Sequence, residues 1–195
     1  MEEILYKIAV LGDDDSKKTN FINKYKNDYF YDKYFRTLRL YEEDIIVTLY
    51  NGRTAKIHIE DINFNNTILR NIIKYYYSGV NGFIIVYNVN KINSFESAKC
   101  FLEDIRDYGN ENNNNNIVLV GNQVKLNNDI YRVIPTEKGQ KFAEENNLLF
   151  FETSHITGFN INECFNALIN RIYKKDLNKS KYKFGINPLI KFLSL

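Results

Sequence analysis

Tryptophan is absent from this chain of 195 residues, and cysteine, histidine and proline each occur only twice. Cys100 and Cys164 lie far apart, and neither has a metal-ligating neighbour at the spacing of a zinc site. Two cysteines are also too few for a disulfide framework. Both fall on the apolar faces of predicted helices, so we expect small core side chains in a reducing compartment.

Charge and long apolar runs are scarce as well. The formal net charge is only +2, which argues against a nucleic-acid partner. No apolar run approaches the ~20 residues that span a bilayer. The start of the chain lacks the basic and apolar regions of a signal peptide. We therefore expect one soluble, cytoplasmic domain, with a peripheral position on an organelle membrane as the alternative.

Apolar runs and helical patterns alternate along the chain. Buried strands are predicted at 4–11 and in the runs GFIIVYNV, IVLVGN and LLFFETS. The pair Asn51-Gly52 joins two further strands and is a strong hairpin signal. Helices are predicted over 17–27 and 67–78, from Pro135 to about 147, and in two segments with apolar faces. Those faces are Phe95, Ala98, Leu102 and Ile105, and then Ile161, Cys164, Phe165, Leu168, Ile169 and Ile172. Asn93 and Glu96 form a cap-like pair before the first face.

This order predicts an α/β fold. Its six-stranded sheet is mostly parallel, with one antiparallel edge strand and helices on both faces. In such sheets ligands bind at the carboxyl ends of the strands, so the loops that follow strands are the candidate sites.

The first of these loops is GDDDSKKTN, Gly12 to Asn20. A phosphate-binding loop has the pattern G-x-x-x-x-G-K-[ST], and Gly12, Lys18 and Thr19 match its first and last positions. Lys17 stands in the place of the second glycine, and three aspartates fill the middle of the loop.

The stretches YYYSGVNGFIIVYNVNKINSFESAK, VLVGNQ and EKGQKFAEENNLLFFETS resemble the Ras-like small GTPases, and among them the Rab group. The resemblance covers about residues 4–174 and implies a P-loop G domain. We therefore predict a G domain over 1–174 and a basic tail with a short apolar end over 175–195.

The resemblance implies that Lys18 reaches the phosphates and that Thr19 ligates Mg²⁺. Lys17 would crowd a site where a glycine normally lets the backbone approach the phosphate. Asp13, Asp14 and Asp15 add negative charge where an anion should lie. We expect this loop to bind triphosphate poorly.

Thr37 and Asp61 match the other two metal-linked positions of the family. A solvated loop threonine is an equally good interpretation of Thr37, and a strand cap is an equally good interpretation of Asp61. Phe64 replaces the glycine that senses the γ-phosphate, and Asn65 replaces the glutamine that orients the attacking water. Since positioning is nearly all that the protein contributes to phosphoryl transfer, we expect no useful intrinsic hydrolysis and assign no catalytic residue.

The guanine-reading loop of the family, N-K-x-D, reads Asn122-Gln123-Val124-Lys125 here. Lys125 is a donor only and would face the two guanine donors with a positive charge. Asn122 remains, and without ligand an asparagine at this position can bridge loops. In the loop Thr153-Ser154-His155-Ile156 only Ser154 matches the family, and His155 reads as a surface residue.

The five degraded loops predict a pseudo-GTPase that acts as a protein-interaction module in membrane or vesicle transport. No bound cofactor is expected, and effector-like or complex-subunit proteins are the expected partners. Two alternatives stay open. One is a divergent switch that binds GTP or GDP with Mg²⁺ and hydrolyses it weakly, and the other is a structural subunit of a larger assembly.

The tail carries no terminal cysteine, so we expect no prenyl anchor. A basic stretch offers weak contact with anionic lipid, or else is a solvated linker. The apolar residues beyond Pro188 are too many to stay exposed, so we expect them to dock on the domain or on a partner. The basic stretch comprises Lys174, Lys175, Lys179, Lys181 and Lys183, and the apolar residues are Leu189, Ile190, Phe192, Leu193 and Leu195.

Overall fold

The computed structural model describes residues 4–31, 44–62, 76–77, 79–109, 116–123 and 131–183. The strands are β1 (Ile4–Leu11), β2 (Ile45–Thr48), β3 (Thr54–Asp61), β4 (Gly82–Asn88), β5 (Ile117–Asn122) and β6 (Leu149–Glu152). The helices are α1 (Lys18–Tyr31), α2 (Ile92–Tyr108), α3 (Thr136–Glu145) and α4 (Ile161–Lys183).

The six strands form one sheet in the order β2-β3-β1-β4-β5-β6. Only β2 runs antiparallel to its neighbour; the other four pairings are parallel. The predicted α/β fold class, with its antiparallel edge strand, is confirmed. Because β1 and β3 to β6 are parallel, their carboxyl ends lie at one edge of the sheet, here called the carboxyl edge.

Helices cover both faces of the sheet. On one face α1 and α4 pack together, and the rings of Tyr25 and Phe165 stack with centroids 3.8 Å apart. On the other face α2 and α3 pack on β4 and β5 around Tyr87 and Phe95. The apolar faces predicted for α2 and α4 are all buried. Their burial is what holds the helices on the sheet, since each large apolar side chain contributes about 1.5–3 kcal/mol on burial.

The predicted hairpin is present between β2 and β3. Gly52 has φ of +80°, a left-handed conformation that glycine adopts at little cost. The Gly52 amide donates to the Leu49 carbonyl, and the Leu49 amide donates to the Arg53 carbonyl. The Asn51 carboxamide oxygen accepts from the Arg53 amide at 3.2 Å, so the turn is closed by its own residues.

Helix α4 continues nine residues past the predicted domain boundary at 174 and ends at Lys183. Leu177 packs against the core on the α1 and α4 face. The first part of the predicted tail is therefore helical and in contact with the domain. The division at 174 stays a prediction.

The turn of the hairpin is fastened to α4. The Asn51 side-chain amide donates to the Tyr173 hydroxyl at 2.7 Å, and the rings of Tyr50 and Tyr173 lie 5.5 Å apart. Nearby, the Tyr6 hydroxyl of β1 bonds to Asp176 of α4, and burial together with this carboxylate raises the Tyr6 pKa. These contacts connect the start of the sheet to its last helix.

Two expectations are wrong. Cys164 is buried, but Cys100 is exposed because it lies on the outer side of α2. Asn93 does not cap α2, because that helix begins at Ile92 and Lys91 occupies the cap position without a side-chain bond.

The helix predicted over 67–78 lies mostly outside the described residues, where only Tyr76 and Tyr77 are seen to be helical. No helix in the described part of the chain is long and apolar enough to span a membrane.

A double-mutant cycle tests the contact between the hairpin and α4. The variants are Asn51→Ala, Tyr173→Phe and the pair. We expect a coupling free energy of about 0.5–1.5 kcal/mol from denaturant unfolding, because each single variant removes the same hydrogen bond. Effects that add to within about 0.3 kcal/mol would contradict a direct bond between the two side chains.

Candidate functional site

The loops at the carboxyl edge bring the predicted site residues together. The loop after β1 runs from Gly12 to Lys17 and leads directly into α1. Asp61 is the last residue of β3, and Asn122 is the last residue of β5. Ser154 follows β6. All of them belong to the parallel part of the sheet, which is why they share one edge.

Gly12 is fixed by close packing at the end of β1. A Cβ atom at this position would lie 2.6 Å from the Val86 carbonyl oxygen and 2.6 Å from Ser16 Oγ. Since the carbonyl belongs to the backbone of β4, it cannot move aside cheaply. Only glycine fits where the loop after β1 crosses β4.

The middle of the loop forms a short 3-10 turn, Asp14–Ser16, that is held by Asp13. The Asp13 carboxylate accepts from the Ser16 amide at 2.9 Å and from the Ser94 hydroxyl at 2.8 Å. The Ser16 hydroxyl donates back to the Asp13 carbonyl at 2.6 Å. The loop therefore satisfies one of its own amides with its own carboxylate, where a phosphate-binding loop presents amides to the ligand.

Asn88 at the end of β4 also supports the loop. Its side-chain amide donates to the Asp15 carbonyl at 2.9 Å, and its backbone amide donates to Ser94 Oγ at 3.0 Å. The sequence reasoning missed both Asn88 and Ser94. A polar residue at the carboxyl end of the apolar run GFIIVYN was the available signal for Asn88.

Lys17 adopts a left-handed conformation, with φ of 57° and ψ of 36°. This is the position of the family's second glycine, and a side chain there costs about 1 kcal/mol relative to glycine. The Lys17 side chain is exposed, and no ion pair of Lys17 is found among the described residues. Burial, assisted by the charge of Lys17, lowers the pKa of His155.

Lys18 and Thr19 begin α1 and both contact Asp61. The Lys18 ammonium is buried, with 3% exposure, and lies 3.3 Å from Asp61 Oδ1. The Thr19 hydroxyl donates to Asp61 Oδ2 at 2.5 Å. One carboxylate at the end of β3 thus engages the lysine predicted for phosphate and the threonine predicted for the metal.

A small cavity opens between these residues. Its volume is about 220 Å³, and it is lined by Asp13, Asp14, Lys17, Lys18, Thr19 and Asn20. Two carboxylates and two ammonium groups therefore share its wall. The formal charges of these four side chains cancel, whereas a triphosphate site requires a positive field.

Thr19 and Asp61 fit a magnesium ion in part. A hydroxyl and a carboxylate oxygen on adjacent groups are ligands that Mg²⁺ accepts when waters and phosphates complete its shell. In the part of the chain that the structure describes, no cluster of three or more carboxylate, histidine or cysteine ligands is found. Waters and the phosphate oxygens of a nucleotide are the ligands that would join Thr19 and Asp61 around a magnesium ion.

Asn122 bridges the loops that follow β1 and β6. Its amide nitrogen donates to the Ser16 carbonyl at 2.9 Å. Its oxygen accepts from the Thr153 hydroxyl at 3.3 Å and from the His155 amide at 3.3 Å. Asn122 therefore has the bridging role that an asparagine can take at this position without ligand. His155, which we expect at the surface, is half-buried there.

Ser154 is buried beside Asn122. Its hydroxyl accepts from the Thr157 amide at 3.4 Å, and its own amide donates to the Phe159 carbonyl. Both groups serve the turn after β6. Four other predicted site residues, Thr37, Phe64, Asn65 and Lys125, lie outside the described residues.

Comparison with known proteins places this fold and site in a family. The Ras family model matches residues 7–174. Ras-related protein RABD2c of Arabidopsis thaliana is 31% identical over 166 residues, which are 85% of this chain and 79% of the relative. GTP-binding protein YPTM1 of Zea mays is 31% identical over 172 residues, 88% of this chain and 80% of the relative.

A third relative comes from an animal. Ras-related protein rab-11.1 of Caenorhabditis elegans is 29% identical over 177 residues, 91% of this chain and 81% of the relative. The similarity runs through the sheet, the loop after β1 and most of α4. The chain belongs to the Ras family, and Rab proteins are among its relatives.

Proposed function

We propose that this chain is a Rab-like pseudo-GTPase, which acts as a protein-interaction module in intracellular membrane or vesicle transport. The observation that supports the proposal best is the Asp61 carboxylate, which pairs with Lys18 and accepts from Thr19. The two groups that would hold phosphate and metal thus have a partner within the chain.

The charges around the cavity favour the same interpretation. A triphosphate would have to approach Asp13 and Asp14 and draw Lys18 from Asp61. Two like charges 4 Å apart repel by about 4 kcal/mol at the effective dielectric of a protein surface. Lys17 compensates for only one of these negative charges. Its side chain also occupies a position where the family has a glycine, which has no side chain.

Residue replacements in the sequence argue against recognition of guanine and against hydrolysis of GTP. Lys125 replaces the carboxylate that accepts from guanine, and an unsatisfied buried polar group costs about 1–3 kcal/mol. Phe64 and Asn65 replace the γ-phosphate sensor and the water-orienting glutamine. We propose that no nucleotide is needed for function and that the chain presents one fixed surface to effector-like or complex-subunit proteins.

A divergent nucleotide switch is the second candidate. The side chains of Thr19 and Asp61 lie together, as a bound magnesium would require, and Lys18 stands at the start of α1. On this alternative GTP or GDP with Mg²⁺ binds weakly and a partner protein supports hydrolysis. A role as a structural subunit of a larger assembly would use the same fixed surface and a permanent partner.

Calorimetry with GTP, GDP and ATP, each with and without Mg²⁺, distinguishes the first two candidates. We expect no saturable binding at micromolar concentrations, because the cavity is balanced in charge and Lys18 is already paired. Nucleotide released on denaturing the purified protein is to be measured by chromatography in parallel. Micromolar or tighter GTP binding, or stoichiometric released nucleotide, would refute the pseudo-GTPase proposal.

Substitution of Lys17 separates backbone strain from the side chain. We expect Lys17→Gly to raise the free energy of unfolding by about 0.5–1 kcal/mol, because glycine accepts the left-handed conformation. Lys17→Ala is the matched control, since it removes the same side chain and retains the strain. Thermal unfolding should rank glycine above alanine by about 2–4 °C. Equal stability of the two variants would show that the loop relaxes to another conformation.

The two variants also probe the anion site. Both remove a positive charge, but only glycine restores the family's backbone at this position. If GTP binds to Lys17→Gly and not to Lys17→Ala, the missing glycine is the main defect. If neither binds, the aspartates and the Asp61 contacts are enough to prevent binding.

Membrane contact is proposed through the end of α4. Arg171, Lys175 and Lys179 recur at four-residue steps and so share one side of the helix. Burial, together with the neighbouring charges of Lys179 and Arg171, lowers the pKa of Lys175. A helix side on which positive charges accumulate attracts anionic headgroups by about 1 kcal/mol per residue near the surface.

Sedimentation with phosphatidylserine vesicles tests this contact. We expect weak binding that falls steeply as the salt concentration rises from about 50 to about 200 mM. The reason is that salt screens charges at the surface, with a Debye length of about 10 Å at 0.1 M. The variant Lys175→Gln with Lys179→Gln should bind less, and uncharged vesicles are the control. Equal binding to both vesicle types would contradict an electrostatic contact.

A further inference from the structure

Two basic residues, Lys17 and His155, lie where the loops after β1 and β6 meet. The Asn122 side chain joins these loops: its nitrogen donates to the Ser16 carbonyl at 2.9 Å, and its oxygen accepts from the His155 amide at 3.3 Å. Lys17 follows Ser16 directly in the chain. The backbones of Lys17 and His155 are therefore within about 10 Å of each other, because two hydrogen bonds across one carboxamide connect them.

The His155 ring has one nitrogen engaged and one available. Its Nδ1 lies 3.4 Å from Asn122 Oδ1. Because the nitrogen of the same carboxamide donates to Ser16, the oxygen is the acceptor and Nδ1 carries the hydrogen in this contact. The neutral ring then has its lone pair on Nε2. No hydrogen bond of Nε2 is found in the part of the chain that the structure describes, so Nε2 is the nitrogen that takes up a proton.

Lys17 supplies a positive charge beside this ring. Its side chain is exposed, and its charge, together with burial of the ring, lowers the pKa of His155. The ring therefore stays neutral near pH 7 while the lysine keeps its charge. The two side chains form a cation and a basic nitrogen side by side, here called the Lys17–His155 pair.

The other charges around the pair do not cancel it. Lys18, which follows Lys17, already pairs with Asp61. Among the described charged groups, Lys17 is the one whose charge shifts the His155 pKa, so the field at the ring is positive. The surrounding elements also present Asp13, Asp14 and Asp15 in the loop after β1, the pair of Arg132 with Glu152, and Glu163 at the start of α4.

We propose that the Lys17–His155 pair binds a small oxyanion of the phosphate type together with one proton from solvent. The anion accepts from the Lys17 ammonium and from the protonated Nε2 of His155, and both hydrogen bonds are charge-assisted. The pair uses neither Lys18 nor Thr19, the residues assigned to nucleotide phosphate and magnesium. This inference therefore does not rest on the pseudo-GTPase proposal, and its tests use no nucleotide.

The affinity of the pair for the anion should rise as the pH falls. In the free chain the His155 pKa lies below its ordinary value, and a bound negative charge raises it because that charge favours the protonated ring. Between these two pKa values, binding takes up a proton. Each downward pH unit in this window therefore strengthens binding by up to about tenfold.

Proton NMR of the histidine rings tests the proposal, because His58 and His155 are the only two histidines in the sequence. Sulfate is the probe, since its charge stays constant across the titration. At equal ionic strength we expect sulfate to raise the His155 pKa by at least about 0.5 relative to chloride. The His58 signal, assigned with His58→Gln, is the internal reference, because His58 pairs with Asp44 outside the two loops. An equal His155 pKa in sulfate and chloride would overturn the proposal.

Substitutions at position 17 are the matched controls. Lys17→Ala and Lys17→Gly both remove the ammonium, and only glycine relieves the left-handed backbone, so the two variants separate charge from strain. In both we expect the His155 pKa to rise in chloride, because the neighbouring charge is gone, and sulfate to add less than about 0.2. A full sulfate response in both variants would contradict the role of Lys17.

The pH dependence of sulfate binding is the second measurement. From the backbone amide shifts of the two loops, we expect a dissociation constant at least about fivefold lower at about pH 5.5 than at about pH 7.5. His155→Gln retains an amide that can donate to Asn122 and loses the titration, so the ratio should fall to about one. Thermal unfolding verifies that this variant is folded. A fivefold ratio that persists in His155→Gln, or sulfate shifts confined to Lys18 and Thr19, would sink the proposal.

Discussion

The buried amide of Asn122 is the contact on which the carboxyl edge of the sheet depends. It donates to the loop after β1 and accepts from the loop after β6, so both of its polar ends are satisfied. A fully satisfied buried polar group rigidifies its surroundings, whereas an unsatisfied one would be costly. The hydrogen bonds of Asn122 therefore fix the spacing between the loop after β1 and the loop after β6. Asp13 accepts from the Ser16 amide, and Asp61 pairs with the Lys18 ammonium. A bound ligand would have to compete with these two carboxylates for the same donors.

Much of the fold could be predicted because it follows from local patterns. Continuous apolar runs gave the buried parallel strands, and the Asn51-Gly52 pair gave the hairpin, both as observed. The exposed position of Cys100 could also have been predicted. It lies two residues from both Ala98 and Leu102, and such neighbours point to different sides of a helix. The end of α4 was harder to predict from local patterns. Leu177, near that end, packs against a core whose residues come from distant segments of the chain.

The site could be predicted less completely because its contacts join residues far apart in sequence. The resemblance identified Lys18, Thr19 and Asp61, but no local pattern shows that one carboxylate contacts the other two. The left-handed conformation of Lys17 follows from the loop that the scaffold imposes, since lysine itself disfavours it. Ser94 and Asn88 support that loop from β4 and α2, and their role becomes visible only when the strands are assembled.

The hydrogen bond between Asn51 and Tyr173 joins residues that are 122 positions apart. The face of β1 and β3 that α4 covers stays open until the last helix has been made. During synthesis from the amino end, at about 5–20 residues per second, the edge hairpin therefore waits several seconds or more for its cover. The nascent chain exposes apolar strands throughout that interval, so this sheet completes its folding only after α4 has been synthesised.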